Sequence, residues 1–272
     1  MSQHKSVAKE PVIALLAEEW TVLDHLLAGL APGQWAGPTC LPGWRVTDIA
    51  AHLIGTEEML SGESAPETDV DLRALPHVRN DIAAFNEQWV QALRDEKPEA
   101  MLARFRDVTA RRVEQLERMP QEDFDAPSWT PAGHDTYARF MQIRIYDCWM
   151  HEQDIRAAIE QPGSEDGPTA EAALGEATRA LGYIVGKLAA APDGSILRFD
   201  LTGPLRRELT VVVDGRAKLV EDAPGDPTAT LRLSSPKFMR LTGGRTKDQS
   251  GVELDGDRDL AQRVLDNLAF TI

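Results

Sequence analysis

Residues 137–159, YARFMQIRIYDCWMHEQDIRAAI, place apolar and polar side chains at helical spacing over a length that strands rarely reach, so they predict one long helix. At about 100° per residue, Phe140, Arg144, Ile155 and Ala158 share the face of His151, and Asp147 stands one turn before it. A carboxylate and an imidazole four residues apart lie one above the other, which suits two ligands of one ion. The same spacing also occurs as a plain hydrogen-bonded pair, and spacing alone leaves both readings open. Asp154, three residues past His151, is placed either to orient that ring or to face solvent. Glu152 is turned about 100° away and cannot share the direction of His151.

Working outward, residues 11–30 and 46–60 repeat apolar side chains at three- and four-residue steps and predict two further helices. The second carries His52 and has Asp48 near its positive N-terminal end. Helical patterning returns over 78–94 and 98–118, where Pro98 fits a first helical turn. Segments 61–76 and 120–136 are rich in proline, glycine and acids and read as loops. The run 161–168, QPGSEDGP, combines a helix stop with a linker, so residues 9–160 are expected to form one domain and 169–272 another. Beyond it a helix over 169–190 leads to strands at 196–201, 208–213, 217–220 and 229–233, read as an antiparallel meander. Helices over 235–241 and 257–268 flank a short strand at 252–254. The expected fold class is α+β: an N-terminal helical bundle, then a smaller α+β domain with an antiparallel sheet.

The 272 residues are long enough for two cores, and 42% hydrophobic with 27% charged residues is an ordinary globular balance. With 44 acidic against 29 basic residues the formal charge is -15, which opposes binding to nucleic acid or to an anionic membrane. Neither is expected as a partner. No signal-peptide core and no apolar run of spanning length occurs, and the expected location is cytoplasmic. Cys40 and Cys148 have no CxxC spacing and read as buried thiols. Trp35, Trp44 and Trp149 read as core anchors. There is no phosphate-binding glycine loop, HExxH or GxSxG, and Gly243-Gly244-Arg245 reads as a turn.

His52 lies on a stripe with Asp48, Thr56 and Met59, while Ile49 and Leu53 pack beside it. Alone it would read as structural. Together, two imidazoles and one carboxylate make the N/O donor set of open zinc sites, which leave a fourth position for water or substrate. Nickel, cobalt, manganese and iron suit the same donors.

The segments Leu41-Pro-Gly-Trp-Arg-Val-Thr-Asp-Ile-Ala-Ala-His-Leu53 and Asp147-Cys-Trp-Met-His-Glu-Gln-Asp-Ile-Arg156 resemble the mycothiol-dependent maleylpyruvate isomerase family. The resemblance implies a DinB-like four-helix bundle with His52, Asp147 and His151 as ligands of a divalent metal, zinc first. It also implies a sterol-carrier-like C-terminal domain, to which the strands and the stretch from 252 to 268 correspond. Two departures stand out: Asp147 replaces the glutamate of the characterised isomerase, and Arg45 stands where a serine or threonine helix cap is usual.

The implied chemistry is thiol addition. The metal takes the thiol of mycothiol as a thiolate, which adds to a cis double bond; rotation and elimination give the trans isomer. The partners are then a low-molecular-weight thiol and a small dicarboxylate whose anionic ends need cations. Arg144, a face-neighbour of both helical ligands, is the first candidate for that, and Arg245 the second, because a C-terminal arginine contributes to the site in this family. Joining mycothiol to electrophiles as an S-transferase, or holding a small molecule without turnover, are the alternative functions.

Overall fold

The computed structural model describes residues 6–271. They divide into two compact units, one ending at Gly163 and one beginning at Ser164. The first contains α1 (Lys9–Ala28), a single turn α2 (Pro32–Trp35), α3 (Val46–Leu60), α4 (Asp81–Leu93), α5 (Pro98–Arg118), a turn α6 (Gln121–Phe124), the strands β1 (Pro127–Thr130) and β2 (Gly133–Thr136), and α7 (Tyr137–Ala158). Helix α1 packs against α5 and α7, and α3 packs against the same two, so these four close into a ring; α4 lies along α3. Leu16, Leu23 and Leu27 of α1, Ile49, Leu53 and Ile54 of α3, and Met101 and Phe105 of α5 are fully buried.

Local chemistry starts the helices. Thr136 accepts a bond from the backbone N–H of Arg139 at the head of α7. At the head of α3 Arg45 has no oxygen to offer, but the Asp48 carboxylate accepts from the Arg45 backbone N–H at 2.8 Å and binds the guanidinium of Arg94 at 3.0 Å. The missing hydroxyl cap is thereby offset by an acid three residues on.

The segment 120–136, expected as loop, holds the turn α6 and a hairpin. Its strands pair from Pro127↔Thr136 to Thr130↔Gly133, and Gly133 takes a φ of +103° at the corner. The Pro131 and Gly133 signals mark the turn; the flanking strands, four residues each, are too short to show a period.

In the second unit α8 (Pro168–Thr178), α9 (Leu181–Tyr183) and a π-helical turn over Ile184–Leu188 replace the expected unbroken helix. A Cβ at Gly182 would meet the Ala217 carbonyl at 2.9 Å, so this stretch follows the edge of the sheet instead of continuing straight. The strands are β3 (Ile196–Thr202), β4 (Arg207–Asp214), β5 (Arg216–Val220), β6 (Ala229–Ser234) and β7 (Glu253–Gly256), in the order β5-β4-β3-β6-β7. Only β3, β4 and β5 form an antiparallel meander; β6 returns beside β3 and runs parallel to it, and β7 is antiparallel to β6. The segment 221–228 carries the chain back across the sheet, so the pairing of β6 is decided by a distant strand and not by a hairpin turn. Helices α10 (Ser235–Thr242) and α11 (Arg258–Asp266) complete the unit, with Phe199 and Phe238 edge to face in its core at 6.1 Å. Among the described residues no helix is long and apolar enough to cross a membrane.

Candidate metal centre

Every residue of α3 from Val46 to Glu58 is buried, so the polar groups of this helix meet protein and not solvent. His52 faces α7, where its Nε2 lies 3.3 Å from Asp147 Oδ2. His151 Nε2 lies 3.5 Å from the other oxygen, Asp147 Oδ1. The two rings stand 4.9 Å apart and nearly perpendicular, at 70°. One donor atom from each of the three side chains falls within 4.8 Å of the others. Ligands at zinc distances of about 2.0–2.1 Å in a tetrahedron are spaced about 3.3–3.4 Å from each other, close to the two nitrogen–oxygen separations here. The donor set fits a divalent transition-metal ion, and these three residues could hold one.

The surroundings fix the donors. Asp154 Oδ2 takes His151 Nδ1 at 3.1 Å, which leaves Nε2 free to present its lone pair toward Asp147. Cys40 donates to the other Asp154 oxygen at 3.2 Å. Cys148 is buried, as expected, but Cys40 is exposed, because it lies in the non-helical stretch before Trp44. His52 Nδ1 is buried without a hydrogen-bond partner, so apart from the contact of Nε2 with Asp147 the ring is held by packing. The indole of Trp44 supplies that packing, with its centroid 5.4 Å from His52 and 6.1 Å from His151. Trp44 is therefore a wall of the centre and not simply a core anchor. Its Nε1 donates at 2.9 Å to buried Glu87, which also holds His77 at 3.0 Å. Gly43 makes this turn at φ +80°, and a Cβ there would come within 2.7 Å of His77 Nδ1.

Arg144 is buried on α7. It donates from Nη1 to Asp147 Oδ2, from Nε to Glu57 Oε1 at 2.9 Å, and from Nη2 to the Cys148 thiol at 3.4 Å. Burial favours a neutral Asp147, but Arg144, His52 and His151 outweigh it and hold the carboxyl well below the usual carboxylate range. Burial pushes the Cys148 thiol up. Glu152 is turned away from the centre and bound to Arg156 at 2.6 Å. The first unit thus gathers His52, Asp147, His151, Arg144 and Asp154 in one place. Arg245 belongs to the second unit, where its Nη1 donates to the Gly243 carbonyl of its own turn at 2.6 Å.

Glu57, Arg112 and Glu87 were not anticipated, and Trp44 was expected only as a core anchor. For Glu57 the sole local signal was the pair of acids Glu57-Glu58 in a helix whose every residue up to them is buried, and the partners that give it meaning lie on other helices.

Burial also sets a pH dependence. It lowers the pKa of His52 from its ordinary 6.5, against the opposing pull of Asp147, so the ring is neutral in the folded chain where the unfolded chain is protonated. Below pH 6.5 the unfolded state binds the extra proton, and stability falls as pH drops toward the folded pKa, by at most about 1.4 kcal/mol per pH unit for this one group. Asp147 adds a loss only below its ordinary 3.8. Urea unfolding of metal-free protein between pH 7.5 and 5 should show the first decline, and His52→Gln should flatten it. Equal slopes in both proteins would contradict the assignment.

Comparison with known proteins places this geometry in context. A model of the mycothiol maleylpyruvate isomerase N-terminal domain matches residues 16–156, and a model of the C-terminal domain of the same family matches residues 171–263. Two uncharacterized proteins of Mycobacterium tuberculosis, from strains CDC 1551 and H37Rv, are each 26% identical over 196 residues, covering 71% of this chain and 74% of the relative. The crystal structure of the mycothiol-dependent maleylpyruvate isomerase shares the fold at a TM-score of 0.60 and 17% identity, over 92% of this chain and 93% of that one. A histidine-to-alanine mutant of that enzyme aligns over the same shares at 0.58 and 18%. With the N-terminal model spanning more than half of the residues, the chain belongs to the mycothiol maleylpyruvate isomerase family.

Proposed function

We propose that the chain is a metal-dependent enzyme that uses mycothiol to act on an unsaturated small molecule, with cis-trans isomerisation of a maleylpyruvate-type dicarboxylate as its reaction. One observation carries the reading: the Nε2 atoms of His52 and His151 converge on the two oxygens of one ionised carboxylate, at 3.3 and 3.5 Å. A divalent ion bound there, zinc first among the candidates, supplies Lewis acidity that lets a thiol lose its proton near neutral pH.

The residues of the chain divide the remaining work. His52, Asp147 and His151 supply the donors, and Asp154 keeps His151 in the tautomer whose Nε2 is available. Trp44 lines the two imidazoles and keeps water from their covered face. Arg144, with its donors engaged by Glu57, Asp147 and Cys148, acts as a positioning residue for the carboxylate rather than as the cation that meets substrate. The chain's own thiols are otherwise engaged, Cys148 buried against that guanidinium and Cys40 donating to Asp154, and the reacting thiol in this reading is one brought in from solution.

Metal-loaded protein incubated with mycothiol and maleylpyruvate, with the products resolved by chromatography, tests this. Trans product that requires both metal and thiol is expected. A stable thiol adduct in place of the isomer would replace isomerisation by S-transfer, and no product with either maleylpyruvate or a model electrophile would overturn the enzymatic reading.

A further inference from the structure

The candidate centre stands on a buried ionic chain that continues well past its donors. Glu57 lies on α3, five residues beyond His52, and both of its oxygens are engaged. Oε1 takes Arg144 Nε at 2.9 Å and Nη2 at 2.8 Å, and Oε2 takes Arg112 Nε at 3.0 Å. Arg112, on α5, is held in turn by Tyr137 at 2.7 Å and Gln115 at 3.0 Å. On the other side Arg144 turns its remaining nitrogen, Nη1, to Asp147. Three helices of the ring thus meet at one carboxylate, and the helix that carries His52 is tied to the helix that carries Asp147 and His151.

We propose that Glu57 is a positioning residue of the metal centre, acting through Arg144 to fix how the Asp147 carboxylate is presented; this rests on the reading of His52, Asp147 and His151 as metal ligands. Exposure separates the anchor from the ligand. The Asp147 side chain is 30% exposed, whereas those of Arg144 and Glu57 are 3% and 2% exposed. An incoming ion therefore meets Asp147, and its support lies beneath, out of reach of water. The division of donors matters as much as the burial. Glu57 takes Nε and Nη2 of the guanidinium fork, so one nitrogen only is left for Asp147. Without the Glu57 charge, Arg144 would have Asp147 as its single anionic partner and would compete with the ion for both carboxylate oxygens. The arrangement thus keeps Oδ1, the oxygen facing His151, available for coordination.

The test is a titration of metal-free, full-length protein with Co2+, read by its visible absorption, beside competition for Zn2+ with a chromophoric chelator. Glu57→Gln should weaken both affinities by about 10-fold, the low end of the range for loss of a group hydrogen-bonded to a metal ligand, because Glu57 acts through Arg144, and should change the position or intensity of the Co2+ bands. Glu58→Gln is the comparison. Glu58 is also buried and paired, with Arg111 at 2.9 Å and Arg104 at 3.4 Å, but neither arginine reaches Asp147, and affinity and spectrum should stay at wild-type values. Should Glu57→Gln fail to fold, Glu57→Asp keeps the interior charge with an arm too short for both guanidinium groups, and should move the same two readouts in the same direction. Wild-type affinity and an unaltered spectrum in a folded Glu57 variant would overturn this inference alone. A wild-type protein that takes up no Co2+ or Zn2+ would overturn the centre and this inference together.

Discussion

Replacing His151 by alanine is expected to strip the protein of its metal. The ring supplies one of three donors, and its Nε2 is made available by Asp154 at 3.1 Å. Alanine leaves His52 and Asp147, and Asp147 is already engaged by Arg144. Two donors, one of them shared with a guanidinium, do not make a closed set. The affinity loss should exceed the roughly 10–100-fold that follows loss of a hydrogen-bond support of a ligand. Elemental analysis after dialysis should find near-stoichiometric metal in the wild type and traces in His151→Ala. Equal trace metal in both would remove the metal centre from the molecule.

The largest loss of stability is expected from Arg112→Met. The Arg112 and Glu57 side chains are 1% and 2% exposed, and their contact at 3.0 Å has no water to replace it. Removing the guanidinium leaves Glu57 with Arg144 as its only partner and Tyr137 without its own, in the interior of the ring. Breaking a buried pair from one side costs about 3–5 kcal/mol, because the remaining charge stays desolvated. At about 2–4 °C per kcal/mol for a domain of this size, the melting temperature should fall by roughly 10 °C. The outward-facing pair Arg118–Glu114, 79% and 62% exposed, provides the contrast, and Arg118→Met should cost under about 0.5 kcal/mol. Urea unfolding of the two variants beside the wild type measures both. A loss from Arg112→Met no larger than that from Arg118→Met would show that the buried chain of charges adds little to the fold.

The elements that were legible are those encoded by local signals. Helix α3 begins and ends where periodicity placed it, since the turn-rich residues before Val46 and the polar run after Leu60 bound it on both sides. Helix α5 begins at Pro98, whose ring fits a first helical turn and no later one. Asp147 and His151 share a face because four residues make nearly one turn. The misread segments are either too short to show a period or depend on something distant. The hairpin of β1 and β2 gives too few residues for a period, the break after α8 answers to Ala217 on a strand, and β6 chooses β3 over its sequence neighbour.

What the sequence determined by itself is the class of the fold, the helices of the bundle and the face on which Asp147 and His151 stand, all consequences of backbone periodicity and of residues within a turn or two. That His52 meets that face from another helix followed from the family resemblance, not from spacing. Tertiary structure decided the rest: that Asp154 and not solvent takes His151 Nδ1, that Trp44 walls both imidazoles, and that Arg144 is engaged by Glu57 and Asp147. The physical reason is the same in each case. A buried charge must find its counter-charge, and here the counter-charges lie 87 residues apart for Glu57 with Arg144 and 55 for Glu57 with Arg112, separations at which no local pattern records the pairing.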